Sequence, residues 1–81
     1  MDTVKMIMAI DNRVYDAYNL TSRPNDETWE QMIKDIAQEI TATPGLLENI
    51  TPADLDRLTD HNYHTARRGA EYAMNLSLKA E

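Results

Sequence analysis

The stretch Thr51-Pro52-Ala53-Asp54-Leu55-Asp56-Arg57-Leu58-Thr59-Asp60-His61-Asn62-Tyr63-His64-Thr65-Ala66-Arg67-Arg68-Gly69-Ala70 decides the architecture of this chain. Its first four residues open a helix. Thr51 suits the N-cap. Pro52 fits the first helical position, where an N–H would have no partner anyway. Asp54 at the third position completes a capping box with Asp in place of Glu. Beyond it, Leu55, Leu58, Asn62, Ala66, Gly69, Ala73 and Leu76 recur at helical spacing on one face, flanked by Ala70, Ser77 and Ala80. The spacing predicts a single helix from Pro52 to nearly the end of the chain. From Ala66 onward its face is almost wholly small, so another helix axis can approach closely. That axis belongs either to the first helix or to a second copy of this one. Asn62 falls inside the face, where a polar residue in an apolar seam can fix register or oligomeric state. An asparagine bonded to solvent explains it equally well.

Upstream, Thr43-Pro44-Gly45 closes one helix and opens a short turn holding Leu46, Leu47 and Ile50. The helix before it starts at Asn25 or Asp26, either a good N-cap, with Asp26 and Glu27 at the favourable end of its dipole. Trp29, Met32, Ile33, Ile36, Ala37 and Ile40 form a narrow stripe, and the remaining faces are polar and mostly acidic. Another helix runs from about Thr3 to Asn19, with Val4, Ile7, Ile10, Val14, Ala17 and Tyr18 on one side. Met6, Met8 and Tyr15 widen that side past half the circumference, so the helix needs cover on two sides. Arg23-Pro24 ends the connection, because a residue before proline avoids the α region. The expected fold is all-α: a three-helix antiparallel bundle with a short extra turn before the last helix, in one domain of 81 residues. A chain this short is marginal alone, which makes a homo-oligomer the expected state.

Charge sorts along the chain. The net charge is −6, and residues 25–60 hold nine acids against Lys34 and Arg57, whereas residues 1–24 balance three against three. Direct nucleic-acid binding is disfavoured, since its affinity comes from Lys and Arg neutralising phosphates. There are no cysteines, hence no disulfides or thiolate metal sites. No apolar run reaches the roughly 20 residues of a membrane span, and the start of the chain lacks the pattern of a signal peptide. A cytoplasmic protein off the membrane, in the producing or host cell, is the expectation.

Enzymatic chemistry finds little support. There is no nucleophile elbow and no phosphate-cradling glycine loop, and the acid pairs sit on open faces where nothing shifts a carboxyl pKa. His61-x-x-His64 lacks the third ligand a zinc site requires. No metal and no cofactor is expected, and the chain reads as no enzyme.

Two surfaces remain. The acidic face of Glu27, Glu30, Asp35, Glu39 and Glu48 would steer the chain to another protein with a basic surface. If that partner binds nucleic acid, spaced carboxylates could imitate phosphates and inhibit it. In size, acidity and lack of catalytic apparatus the chain is similar to small accessory proteins of phages and mobile elements, a likeness of composition alone. The first expectation is thus a small acidic interaction module that binds and modulates, by inhibition, another protein. Against the acidity runs a basic stripe on the last helix, Arg57, His61, His64, Arg68, Asn75 and Lys79, with Tyr72 among them. A solvated helix face accounts for these charges. The alternative is a small-ligand binder in which Arg68 and His64 hold the anion of a nucleotide or signal molecule and Tyr72 stacks on it. A third expectation is a structural or assembly subunit whose charged faces meet sister copies.

Overall fold

In the computed structural model, which describes residues 2–79 (side chains through Leu76), all regular structure among the described residues is helical. The elements are α1 (Thr3–Tyr18), α2 (Asp26–Ala42), a single 3-10 turn (Leu47–Asn49), α3 (Pro52–Asp60) and α4 (His64–Lys79). Caps set most boundaries. Asp2 accepts from the amide of Lys5 at the start of α1, and that bond holds its carboxyl below the usual range. Asn25 accepts from the amide of Thr28 at the start of α2. Thr51 and Asp54 form the reciprocal capping box expected of them, at 3.3 and 3.0 Å.

The single helix expected from Pro52 onward is two helices. Asn62 adopts the left-handed conformation, φ 63. Tyr63 N donates to Leu58 O at 2.8 Å, and Asn62 N donates to Thr59 O at 2.9 Å. This is a Schellman stop, with asparagine in the place glycine usually takes. Tyr63, just past it, packs on the core that includes Leu58, the apolar contact such a stop carries. Asn62 is therefore exposed in a turn and not buried in a seam. The described residues form four α-helices where the spacing predicts three.

The core joins Val4, Ile7, Ile10 and Val14 of α1 to Met32, Ile36, Ala37 and Ile40 of α2, Leu58 of α3, and Ala66, Ala70 and Ala73 of α4. Leu46 and Ile50 close it from the segment around the 3-10 turn. The broad apolar side of α1 is covered within the chain, by α2, α3 and α4 together. The small face of α4 receives α2. A Cβ placed on Gly69 would lie 2.5 Å from Ile36 Cγ2 and 3.3 Å from the carbonyl oxygen of Ile33. No residue but glycine fits there without moving the helices apart.

Candidate functional site

Helical geometry divides the acidic residues of α2 between flanks. Asp35 and Glu39, one turn apart, face α1. Asp35 accepts from the hydroxyl of Tyr18 at 2.5 Å and from the amide of Gln31 at 3.1 Å. Donation to that carboxylate pushes the Tyr18 hydroxyl up to about 12. Glu39 takes Arg13 of α1 at 3.2 Å. Arg13, Tyr18, Asp35 and Glu39 border a recess of about 430 Å³ that Val14 and Ala17 also line. Glu30 instead borders α4, and Glu27 is exposed in the first turn. Glu48 is exposed in the 3-10 turn beyond the far end of α2. Among the described residues, Glu27, Glu30 and Glu48 make no side-chain hydrogen bond or ion pair. The five carboxylates therefore form no single row, and two of them already have partners within the chain.

The basic stripe is cut by the turn at Asn62. Arg57 lies on α3 and His61 caps its end, whereas His64, Arg68 and Tyr72 follow one another along α4. The side chain of Lys79 lies outside the described residues. His61 and His64 no longer share one helix. Among the described residues no three His, Asp or Glu side chains gather as metal ligands would, and no helix is long and apolar enough to cross a membrane.

Two surfaces on α4 have the shape to bind something. Among the described residues Tyr72 and Leu76, one turn apart, are the large hydrophobic side chains left exposed, at 36% and 49%. With Lys34, Ala37, Thr41 and Ala42 of α2 they line a recess of about 470 Å³. Glu30, Ile33, Arg68 and Tyr72 border its continuation toward the start of α4. The second surface is a cleft of about 330 Å³ between the α1–α2 connection and the first turn of α4. Arg23, Pro24, Asp26, Trp29, His64 and Arg68 line it. Spacing along α4 gives His64 and Arg68. Arg23 and Trp29 enter only through the fold, Trp29 from the edge of a stripe that reads simply as core.

The neighbouring arginine behaves differently. Arg67 donates to Thr59 at 2.7 Å and to Glu71 at 2.8 Å, and lies 3.7 Å from Asp56. It ties α4 to α3, while Arg68 points to the recesses.

Among the described residues Asp11 and Thr65 are the buried polar ones, and Thr65 has a partner in Tyr15. Asp11 is 6% exposed, its Oδ1 has no hydrogen-bond partner, and burial pushes its carboxyl up to about 6. Its position was legible: four residues after Ile7 and three before Val14, it lies in the middle of the apolar stripe. It lines none of the recesses above.

No family model matches the chain, and no curated protein or solved structure matches it.

Proposed function

We propose that this chain is a small, non-enzymatic interaction module that binds another protein through the face shared by α2 and α4, and modulates that partner by covering the surface it engages. The observation that carries the reading is the exposed pair Tyr72 and Leu76 beside an apolar recess, in a chain whose other large hydrophobic side chains among the described residues are at least partly covered. Glu30, Lys34 and Arg68 surround the pair. An aromatic anchor within a charged rim is the anatomy of a protein interface. A net charge of −6 steers the chain toward a partner with a basic surface. Glu30 supplies the local negative charge, since Asp35 and Glu39 are occupied by α1. Imitation of a row of phosphates gains no support from this arrangement. Inhibition by occlusion needs only the covered surface.

A sister copy is the other occupant this face fits, which would make the chain an assembly subunit. Sedimentation of the purified chain at several concentrations, with and without added salt, separates the two. The partner is sought by capture from the producing or host cell. The double variant Tyr72→Ser/Leu76→Glu alters exposed side chains and leaves the helical content intact. It is expected to weaken the captured complex by about 30-fold or more, the scale of a hot spot worth about 2 kcal/mol. Glu30→Lys is expected to slow association and leave dissociation unchanged. A complex indifferent to the double variant rules this face out.

A further inference from the structure

We infer that the cleft between the α1–α2 connection and the start of α4 binds a nucleotide: a phosphate held by Arg23, Arg68 and His64, with the base against Trp29. This cleft is a different recess from the α2/α4 face proposed for protein binding, and Arg68 borders both.

Five arginines occur in the chain. Arg13 pairs with Glu39, and Arg67 with Asp56 and Glu71. Among the described residues Arg23, Arg57 and Arg68 have no ion pair, although acids outnumber bases fourteen to eight. Two of these three line one cleft, with His64 beside them. Arg23 comes from the loop before α2 and Arg68 from the first turns of α4, so the fold brings them together and a local charge run does not. A guanidinium presents a planar fork of N–H donors that matches phosphate oxygens two at a time. Asp26 and His64 are the first residues of α2 and α4, so the positive ends of two helix dipoles border the same space.

The wall and the size narrow the ligand. Trp29, half-buried, lines the cleft and offers an aromatic surface for a base. A cleft of about 330 Å³ lies in the lower range of small-ligand sites. Among the described residues Asp26 is the carboxylate that lines it and makes no ion pair with either arginine, so its oxygens would accept from a ribose hydroxyl. Tyr72, which the spacing along α4 places beside Arg68, lines the neighbouring groove and is not part of this site.

Trp29 is the only tryptophan, so its fluorescence reports on this cleft alone. The full-length chain is titrated with AMP, GMP, CMP and UMP, with adenosine, and with inorganic phosphate, using N-acetyltryptophanamide as the control for light absorbed by the base. Thermal unfolding is followed in parallel. The expected result is saturable quenching by at least one monophosphate together with a raised midpoint. Adenosine gives neither effect, and inorganic phosphate binds at least tenfold more weakly. Arg23→Ala and Arg68→Ala, both at exposed positions, each weaken the monophosphate at least tenfold, and Arg57→Ala leaves it unchanged. Absence of saturable quenching by all four monophosphates overturns the site. Binding that ignores Arg23→Ala and Arg68→Ala overturns its location. Equal affinity for inorganic phosphate overturns the role of Trp29.

Discussion

The seam between α2 and α4 and the seat of α1 are both buried, but they are made differently. Among the described residues no side-chain hydrogen bond or ion pair joins α2 to α4. Their fit rests on Gly69, Ala66, Ala70 and Ala73 meeting Ile33, Ile36 and their neighbours at closest approach. Four polar contacts tie α1 down instead: Tyr15 with Thr65 at 3.1 Å, Tyr63 with Asn12 at 3.3 Å, Tyr18 with Asp35, and Arg13 with Glu39. Between them lies Asp11, buried and without a bond at Oδ1. Shape holds the first region, so it responds to volume and little to pH or salt. Directional bonds and an unsatisfied acid mark the second, so it responds to both.

Gly69→Val breaks the comparison at its strongest point. The added side chain cannot avoid Ile36, and the cost is expected to be on the order of 3 kcal/mol in urea unfolding, at the upper end for overpacking. A loss below about 1 kcal/mol means that the seam yields and the fit is looser than its distances say.

Asp11→Leu probes the other region and has the opposite sign. Below about pH 4 the carboxyl is neutral in folded and unfolded chains alike. As pH rises the unfolded chain ionises first, while the folded one keeps its proton until about 6. Stability is therefore lost between about pH 4 and pH 6 and stays lost above. Relative to the parent, the leucine variant should gain about 2–3 kcal/mol at pH 7, and the gain should vanish below pH 4. A difference that does not vary with pH would mean that packing, and not ionisation, sets the cost of Asp11.

Two smaller changes sharpen the picture. Tyr15→Phe removes the partner of the buried Thr65 hydroxyl and should cost about 1 kcal/mol. Tyr63→Phe removes a longer, exposed bond to Asn12 and should fall within about 0.5 kcal/mol of the parent. Equal effects of the two in parallel denaturation curves would remove burial as the variable that matters in the seat of α1.

Local chemistry made much of this fold legible. The Thr51 capping box, the Asn25 cap, the stripe of α2 and the small face of α4 are each written within a few residues. The break at His61-Asn62-Tyr63 was not, because the apolar period of α3 runs on into α4 almost in phase. The stop depends on one asparagine accepting a left-handed backbone, which spacing does not register. The candidate sites were half legible. His64, Arg68 and Tyr72 share a helix and could be read as a set, although the fold sends Tyr72 to a different recess. Arg23 and Trp29 join them only across the tertiary fold, and Asp35 and Glu39 turn toward α1 for the same reason. Asp11 is a different omission, since its place in the stripe was visible and only its charge argued against the core.

The corner between α3 and α4 works as a bracket. Its backbone bonds set the angle, and Arg67 braces it from both arms, reaching Thr59 and Asp56 on one side and Glu71 on the other. Whatever meets His64 or Arg68 therefore meets side chains mounted on a fixed elbow, so little backbone freedom remains to be frozen at the moment of contact.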